Sequence, residues 1–501
     1  MRNAYEFDLG KIHCQINEKN YPCHINKLFS LNQYVSIVTY KVEIPTSDIM
    51  EFEIQNKLKF VYQDENGYGF EKGCLYSALA RRKGKNKQGP IKIFEKNNTS
   101  AYFRQSKNNI LYLTVRKKNL TDKTIEQIKL DLAYYLSKIM PKKKIVLLYE
   151  KESSRYEESA SVLYEKLIDD GYKDAYFILD KNYSHFHEIA NKYRTNILYK
   201  GSFKHYLYFF MSKTFLGSEA LVHAIDLRIS NKHALNKIND KSLNYVFLQH
   251  GVMYMVSLDS ESRSFFKPMK TEGKYRVVTS SVEEARHFIE LGGYDPETIY
   301  VCGLPKFDRN TLNEDADKIV VMPTWRPWEY NEARYDFTQT KYYQMLVRIV
   351  DAIPEKFKDK LIVLPHPLFF DAIKDTEFEL KQYLNVTDKY DDILKDTRIL
   401  ITDYSSIAYD AFYRGCNVIF YWEEKDECMA NYGPTTKLML NEENVYGDIC
   451  MNPYQLSKAI DINYFHGQDE VYQKRYSKLV DFHDGKNTER LITLLRKDEI
   501  I

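Results

Sequence analysis

No apolar run in the sequence approaches the roughly 20 residues that a membrane-spanning helix requires; the most tempting stretch, Tyr206 to Met211, is far too short. The first residues also lack the basic-then-apolar pattern of a secretory signal. These absences lead us to expect a cytoplasmic protein that meets a membrane only from its surface. Neither Gly-x-Gly-x-x-Gly nor a Walker loop is present, which removes support for nicotinamide and ATP chemistry. Cys, His and carboxylates do not cluster at metal-ligand spacing; His13-Cys14 and Cys23-His24 form a loose mirror pair that matches no usual zinc module. The expected chemistry uses no metal and no cofactor. The seven cysteines, odd in number and scattered, suit a reducing compartment better than a disulfide framework. Net charge is only +2, from 72 basic and 70 acidic residues, which excludes a globally basic nucleic-acid binder. Local basic patches remain, at Arg81-Arg82-Lys83 with Lys85 and Lys87, and at Lys142-Lys143-Lys144; each is equally a solvated surface.

What is present is a long chain with a change of rhythm. At 501 residues it exceeds one ordinary core, so two or three domains are expected. Residues 1–121 read as a β-rich domain, with β-branched and aromatic runs at Val35 to Val42, Phe52 to Tyr62 and Ile110 to Val115. A helical linker follows over 122–143. From Lys144 short apolar strands alternate with helical spans: Ile145 to Tyr149, Ala175 to Leu179, Val246 to Gln249, Arg276 to Thr279, Ile299 to Cys302, Ile319 to Met322, Leu361 to Leu364, Arg398 to Thr402 and Val418 to Tyr421. That alternation predicts two doubly wound α/β domains, 144–295 and 296–501, with the site in the cleft between them.

Five segments fall at the C-terminal ends of predicted strands, where open parallel sheets bind ligands. Gln249-His250-Gly251 places an imidazole able to take a proton from an attacking hydroxyl beside a flexible glycine. Gly303 to Asp308 makes a tight loop from which Lys306 can reach a phosphate. Pro323-Thr324-Trp325-Arg326 offers a guanidinium fork. In Pro365-His366-Pro367 two prolines fix the backbone and aim His366. Thr402-Asp403-Tyr404-Ser405-Ser406 then opens a helix whose hydroxyls and amides form an anion cradle. A structural turn or N-cap explains each segment taken alone.

In order and spacing these segments resemble the CDP-glycerol glycerophosphotransferase family of teichoic acid and capsule synthesis, over roughly residues 144 to 460. The Tyr149-Glu150 strand end with Tyr156, and Lys200-Gly201-Ser202, resemble it as well. The resemblance implies a GT-B-like pair of Rossmann-like domains behind the extra β-rich domain, the first on the acceptor side and the second holding the donor. It implies transfer of a glycerol- or ribitol-phosphate unit from CDP-glycerol or CDP-ribitol to a lipid-linked polymer, releasing CMP at the inner face of the cell membrane. His250 becomes the general base, and His366 contacts the donor phosphates or assists the leaving CMP. Lys306, Arg326, Pro367, Thr402, Ser405 and Ser406 fall to the donor, with Asp403 ordering the loop and Glu424 near the nucleotide. Gln249 stands where the family has Trp, Val252 where it has Thr, and Lys306 where it has Arg. The first two departures lead us to expect an altered acceptor pocket. A GT-B glycosyltransferase using a sugar nucleotide and a non-catalytic polymer- or membrane-binding scaffold remain as alternatives.

Overall fold

The computed structural model describes residues 11–16, 19–32, 35–52, 55–63, 69–73, 91–96, 98–105, 111–260, 272–324, 326–329, 332–333, 336–365, 378–385 and 390–501. They form two compact units: residues 1–140 with 226–240, and residues 141–225 with 241–501.

The first unit is an antiparallel sheet, ordered Val35–Val42, Lys19–Asn32, Ile12–Ile16, Gln55–Gln63, Leu111–Lys117, Thr99–Gln105, Ile91–Lys96, with Gly69–Gly73 also on Gln55–Gln63. The period of two is plain in Ile12–Ile16, where Ile12, Cys14 and Ile16 are buried and His13 and Gln15 are not. His13 and Cys14 therefore face opposite ways. Among the described residues no group of three or more His, Cys, Asp or Glu side chains is placed to hold a metal. After the sheet, Asn119 and Asp122 form a capping box, and Asp122 forms a buried pair with Arg116. Asp226 accepts hydrogen bonds from Asn119 (2.8 Å) and Thr121 (3.0 Å), which joins segment 226–240 to this unit. Helix Thr124–Ile139 buries Glu126, Leu130 and Ala133. Its opposite face leaves Ile125, Ile128, Leu132, Tyr135 and Ile139 between 49% and 79% exposed. No described helix is long and apolar enough to cross a membrane.

The second unit holds two parallel sheets in a GT-B-like arrangement. The first sheet is ordered Ile197–Tyr199, Ala175–Leu179, Val146–Tyr149, Thr214–Gly217, Asn244–Phe247, Tyr275–Thr279, Ile299–Val301. The second is ordered Leu361–Val363, Lys318–Val321, Thr397–Thr402, Asn417–Tyr421, Asp448–Cys450. Strands such as Val146–Tyr149 and Asn417–Tyr421 are buried along their whole length, because helices cover both faces. One apolar core runs through both sheets, from Leu148 and Val246 to Leu400, Val418 and Trp422.

Chain order reverses once in each sheet, between Val146–Tyr149 and Thr214–Gly217 and between Lys318–Val321 and Thr397–Thr402. These switch points open a crevice at the strand C-termini. The first sheet extends past residue 295, since Ile299–Val301 pairs with Tyr275–Thr279. The chain also returns to it at the end. Asp308 caps helix Asn487–Lys497 by accepting from the Asn487 amide (3.0 Å), the Thr488 amide (2.8 Å) and the Thr488 hydroxyl (2.6 Å). Asp498 then pairs with Arg276 at 2.6 Å. Gly303, at φ +81°, permits this docking: a Cβ there would lie 1.9 Å from Asn487 Oδ1.

Candidate active site

A cavity of about 310 Å³ lies at the switch points of both parallel sheets. It is lined from the first sheet by Lys151, Arg155, Ser218, Glu219 and His250, and from the second by Met322, Ile407, Asp410 and Arg414, among others.

His250 follows strand Asn244–Phe247 on a constrained loop. Gln249 occupies the left-handed region at φ +59°, a conformation costly for a side chain of its size. It is held there by bonds from its amide to the Val278 carbonyl and to buried Glu284 (3.3 Å). Glu284 also accepts from the Met253 amide (2.7 Å), the Ser280 amide (2.6 Å) and the Ser280 hydroxyl (2.8 Å). Gln249 and Val252 are both fully buried, Val252 in the apolar core, and neither lines the cavity. Any effect of these two departures on the acceptor side therefore passes through the loop that carries His250 and the core behind it.

The His250 ring reaches the cavity, while its Nδ1 is shut off from solvent and lies 3.7 Å from Glu219 Oε1. Burial lowers the imidazole pKa below its ordinary value, Glu219 opposes that shift, and the Lys306 ammonium adds to it. The net shift favours the neutral ring, the form able to accept a proton.

Lys306 is nearly buried. Its ammonium donates to the His250 carbonyl at 2.7 Å and pairs with Asp410 at 2.7 Å and Glu158 at 3.4 Å. Burial alone would lower its pKa, but the two carboxylates raise it above the ordinary value, so the charge is permanent. The structure thus joins Lys306 to His250 rather than to the Thr402–Ser406 turn.

That turn is also internally braced. Asp403 is buried and accepts from the Thr324 amide (2.8 Å) and the Tyr404 amide (2.6 Å), while Trp422 donates its indole N–H to the Asp403 carbonyl at 3.0 Å. Thr402 donates to the Met322 carbonyl at 2.6 Å, which locks the two switch-point strands together. Arg326, 2% exposed, pairs with Glu424 at 2.7 Å, and Glu424 also accepts from Arg348 at 2.6 Å. Ser405 and Ser406 are half-buried at the start of helix Ile407–Arg414. The Ser405 hydroxyl accepts from the Ile407 amide at 3.4 Å, and Ser406 makes no side-chain cap. Instead Ser406 faces the histidine loop: a Cβ on Gly251 would lie 3.1 Å from its Oγ. His366 and Pro367 lie outside the described residues.

Sequence reasoning missed Lys151, Arg155 and Glu219. Lys151 and Arg155 sit on a loop in which Glu152 and Ser153 both have φ +52°. His223 locks it, accepting the Glu152 amide at its Nδ1 (3.0 Å) and the Ser153 hydroxyl at its carbonyl (2.9 Å). Two adjacent strained residues fixed in this way mark a loop shaped for a purpose. The signal for Glu219 was strand Thr214–Gly217, a four-residue apolar run whose C-terminal end carries it.

Comparison with known proteins places this geometry. The chain is 26% identical over 377 residues to the minor teichoic acid biosynthesis protein GgaB of Bacillus subtilis (strain 168), a match covering 70% of this chain and 39% of GgaB. It therefore spans about two fifths of the length of that relative. Among solved structures it is similar to the wall teichoic acid polymerase TagF, at a TM-score of 0.51 and 16% identity over 75% of this chain and 97% of that one. A histidine-to-asparagine variant of TagF gives a TM-score of 0.51 at 17% identity, over 74% and 93%. At such identities the structural likeness shows the shared fold. The family match is broader, since the profile for CDP-glycerol:poly(glycerophosphate) glycerophosphotransferase covers residues 132–497, and the chain belongs to that family.

Proposed function

We propose that the protein transfers a polyol-phosphate unit from a CDP-polyol, CDP-glycerol or CDP-ribitol, to the terminal hydroxyl of a lipid-linked polymer. The observation that carries this reading is His250, backed by the Glu219 carboxylate, in a cavity at both switch points. Since Nδ1 faces Glu219, Nε2 is the nitrogen left for substrate. It takes the acceptor proton as the hydroxyl oxygen bonds to the β-phosphorus. The bond from that phosphorus to the bridging oxygen breaks, and CMP leaves with the oxygen.

On the donor side we assign the pyrophosphate to the helix start at Ser405 and Ser406, together with His366 and Pro367, which follow strand Leu361–Val363 in the chain. Thr402, Asp403 and the Arg326–Glu424 pair brace that helix start, Thr402 through the Met322 carbonyl and Asp403 through Thr324. Lys306 acts on the donor only through the field of its buried charge. We propose that charge on the phosphates is met by protein cations and a helix end, without a metal, so chelators leave turnover intact.

We further propose peripheral attachment to the inner face of the membrane. The outward stripe of helix Thr124–Ile139 supports it, with Lys123 and Lys138 exposed alongside and Lys142 to Lys144 following in the chain. The patch around Arg81 lies outside the described residues. Sedimentation with anionic vesicles, weakened by Leu132→Glu, checks this. The enzymatic test is CMP release by the purified chain with either CDP-polyol and a lipid-linked primer. Turnover of a UDP-sugar in its place would make the protein a glycosyltransferase, and no nucleotide binding at all would make it a scaffold.

A further inference from the structure

Glu219 has no part in the family resemblance described above, yet its placement is closely controlled. It follows strand Thr214–Gly217 at the switch point of the first sheet, opposite the loop that carries Lys151. Two tyrosine hydroxyls converge on its backbone carbonyl: Tyr149 donates at 3.1 Å and Tyr245 at 2.6 Å. Both belong to buried strands flanking Thr214–Gly217, so the backbone of Glu219 is pinned from two sides. Its carboxylate is 21% exposed and points at the cavity, where Oε1 lies 3.7 Å from His250 Nδ1. That nitrogen is shut off from solvent, and besides Glu219 the ring has the Ser218 backbone as a hydrogen-bonding neighbour. At 3.7 Å the two groups lie within ion-pair range, somewhat beyond hydrogen-bond length.

We infer that Glu219 is the positioning residue of the proton transfer, fixing the His250 tautomer with the proton on Nδ1 and stabilising the imidazolium formed when Nε2 takes the acceptor proton. This rests on the reading of His250 as general base. The charged groups facing the ring are Glu219, Lys306 and Lys151, and the two cations disfavour the protonated ring. Among the described residues, Glu219 supplies the negative charge that favours that state, with the Ser218 backbone acting in the same direction. Removing its charge leaves the base weaker at the moment it must hold a proton.

The test is Glu219→Gln, which keeps size and hydrogen-bonding capacity. We expect kcat to fall about 10²-fold, as when general-base support is lost, with KM for the CDP-polyol within about 3-fold. The acid limb of the pH–rate profile should move to lower pH. Glu219→Asp should recover part of kcat. A readout without turnover separates this inference from the assigned function: the His250 ring resonance is titrated by NMR in wild type and in Glu219→Gln. A lower midpoint in the variant supports the pairing. An unchanged midpoint overturns it, whatever the activity. Absence of turnover in wild type with every CDP-polyol and a competent primer sinks the function instead.

Discussion

The two walls of the cavity follow one plan, a switch point in a parallel sheet, but they handle charge in opposite ways. On the second sheet the charged groups neutralise one another inside the wall. Arg326 pairs with Glu424, Arg348 with Glu423 and Glu424, and Arg414 with Asp391. On the first sheet charge is turned towards the open space. Lys151 and Arg155 form no ion pair with another described residue, and the Glu219 carboxylate is set beside His250 at the cavity. Lys306 bridges the walls, since it leaves the end of the first sheet to pair with Asp410 on helix Ile407–Arg414. A wall whose charges are already satisfied is held in one arrangement, which fits its proposed role of framing the donor. A wall that presents unpaired charge suits chemistry and a variable acceptor.

The largest break in that comparison comes from His250→Ala. It should lower kcat by about 10²–10⁴-fold while leaving the urea midpoint of unfolding close to wild type. His366→Ala should cut turnover to a similar degree. A near-normal rate in either variant removes that histidine from the chemistry. In wild type, burial holds the His250 pKa down and so favours the unprotonated base. Activity should fall only as pH drops below 6.5, the ordinary imidazole value.

Lys306→Ala comes next and separates bracing from binding. It strands Asp410 and Glu158 in a buried site, which costs roughly 3–5 kcal/mol of stability. It also frees the His250 carbonyl, so kcat should fall with the unfolding midpoint. A variant of unchanged stability with a raised KM for the CDP-polyol would show instead that Lys306 binds the donor directly.

The sequence exposed these two walls unequally. Strands Asn244–Phe247, Lys318–Val321 and Thr397–Thr402 were legible because burial makes them nearly uninterrupted apolar runs, and the residues after them are of unusual types. Thr214–Gly217 and Ile197–Tyr199 were not read, being only four and three residues long beside apolar helices. With Thr214–Gly217 went Glu219. Strands Ile12–Ile16 and Thr99–Gln105 of the first unit were missed as well, since polar residues interrupt them. Pairing is a further limit. Nothing in Gly303 to Asp308 shows that Asp308 caps a helix some 180 residues on, or that Lys306 turns to Asp410 and the His250 carbonyl. Such long-range ionic partners are fixed by topology, and no local pattern records them.

The smallest effect is expected where the walls touch. Gly251 sits against Ser406, and its φ is not in the left-handed region, so alanine is allowed by the backbone. The added methyl would lie 3.1 Å from Ser406 Oγ, a few tenths of an ångström too close. Ser406 makes no side-chain cap that would hold its hydroxyl in place, so it can rotate away. Gly251→Ala should therefore cost only about 0.5–1.5 kcal/mol, the size of one displaced hydrogen-bonding group, and appear as a several-fold rise in KM for the CDP-polyol. Ser406→Ala should raise the same KM by a similar factor, because it deletes the hydroxyl that Gly251→Ala displaces. The double variant should then be no worse than either single one. Additive losses would mean that the two loops act on different parts of the substrate. In that case contact between Gly251 and Ser406 would be packing alone, and the two walls would do their work independently.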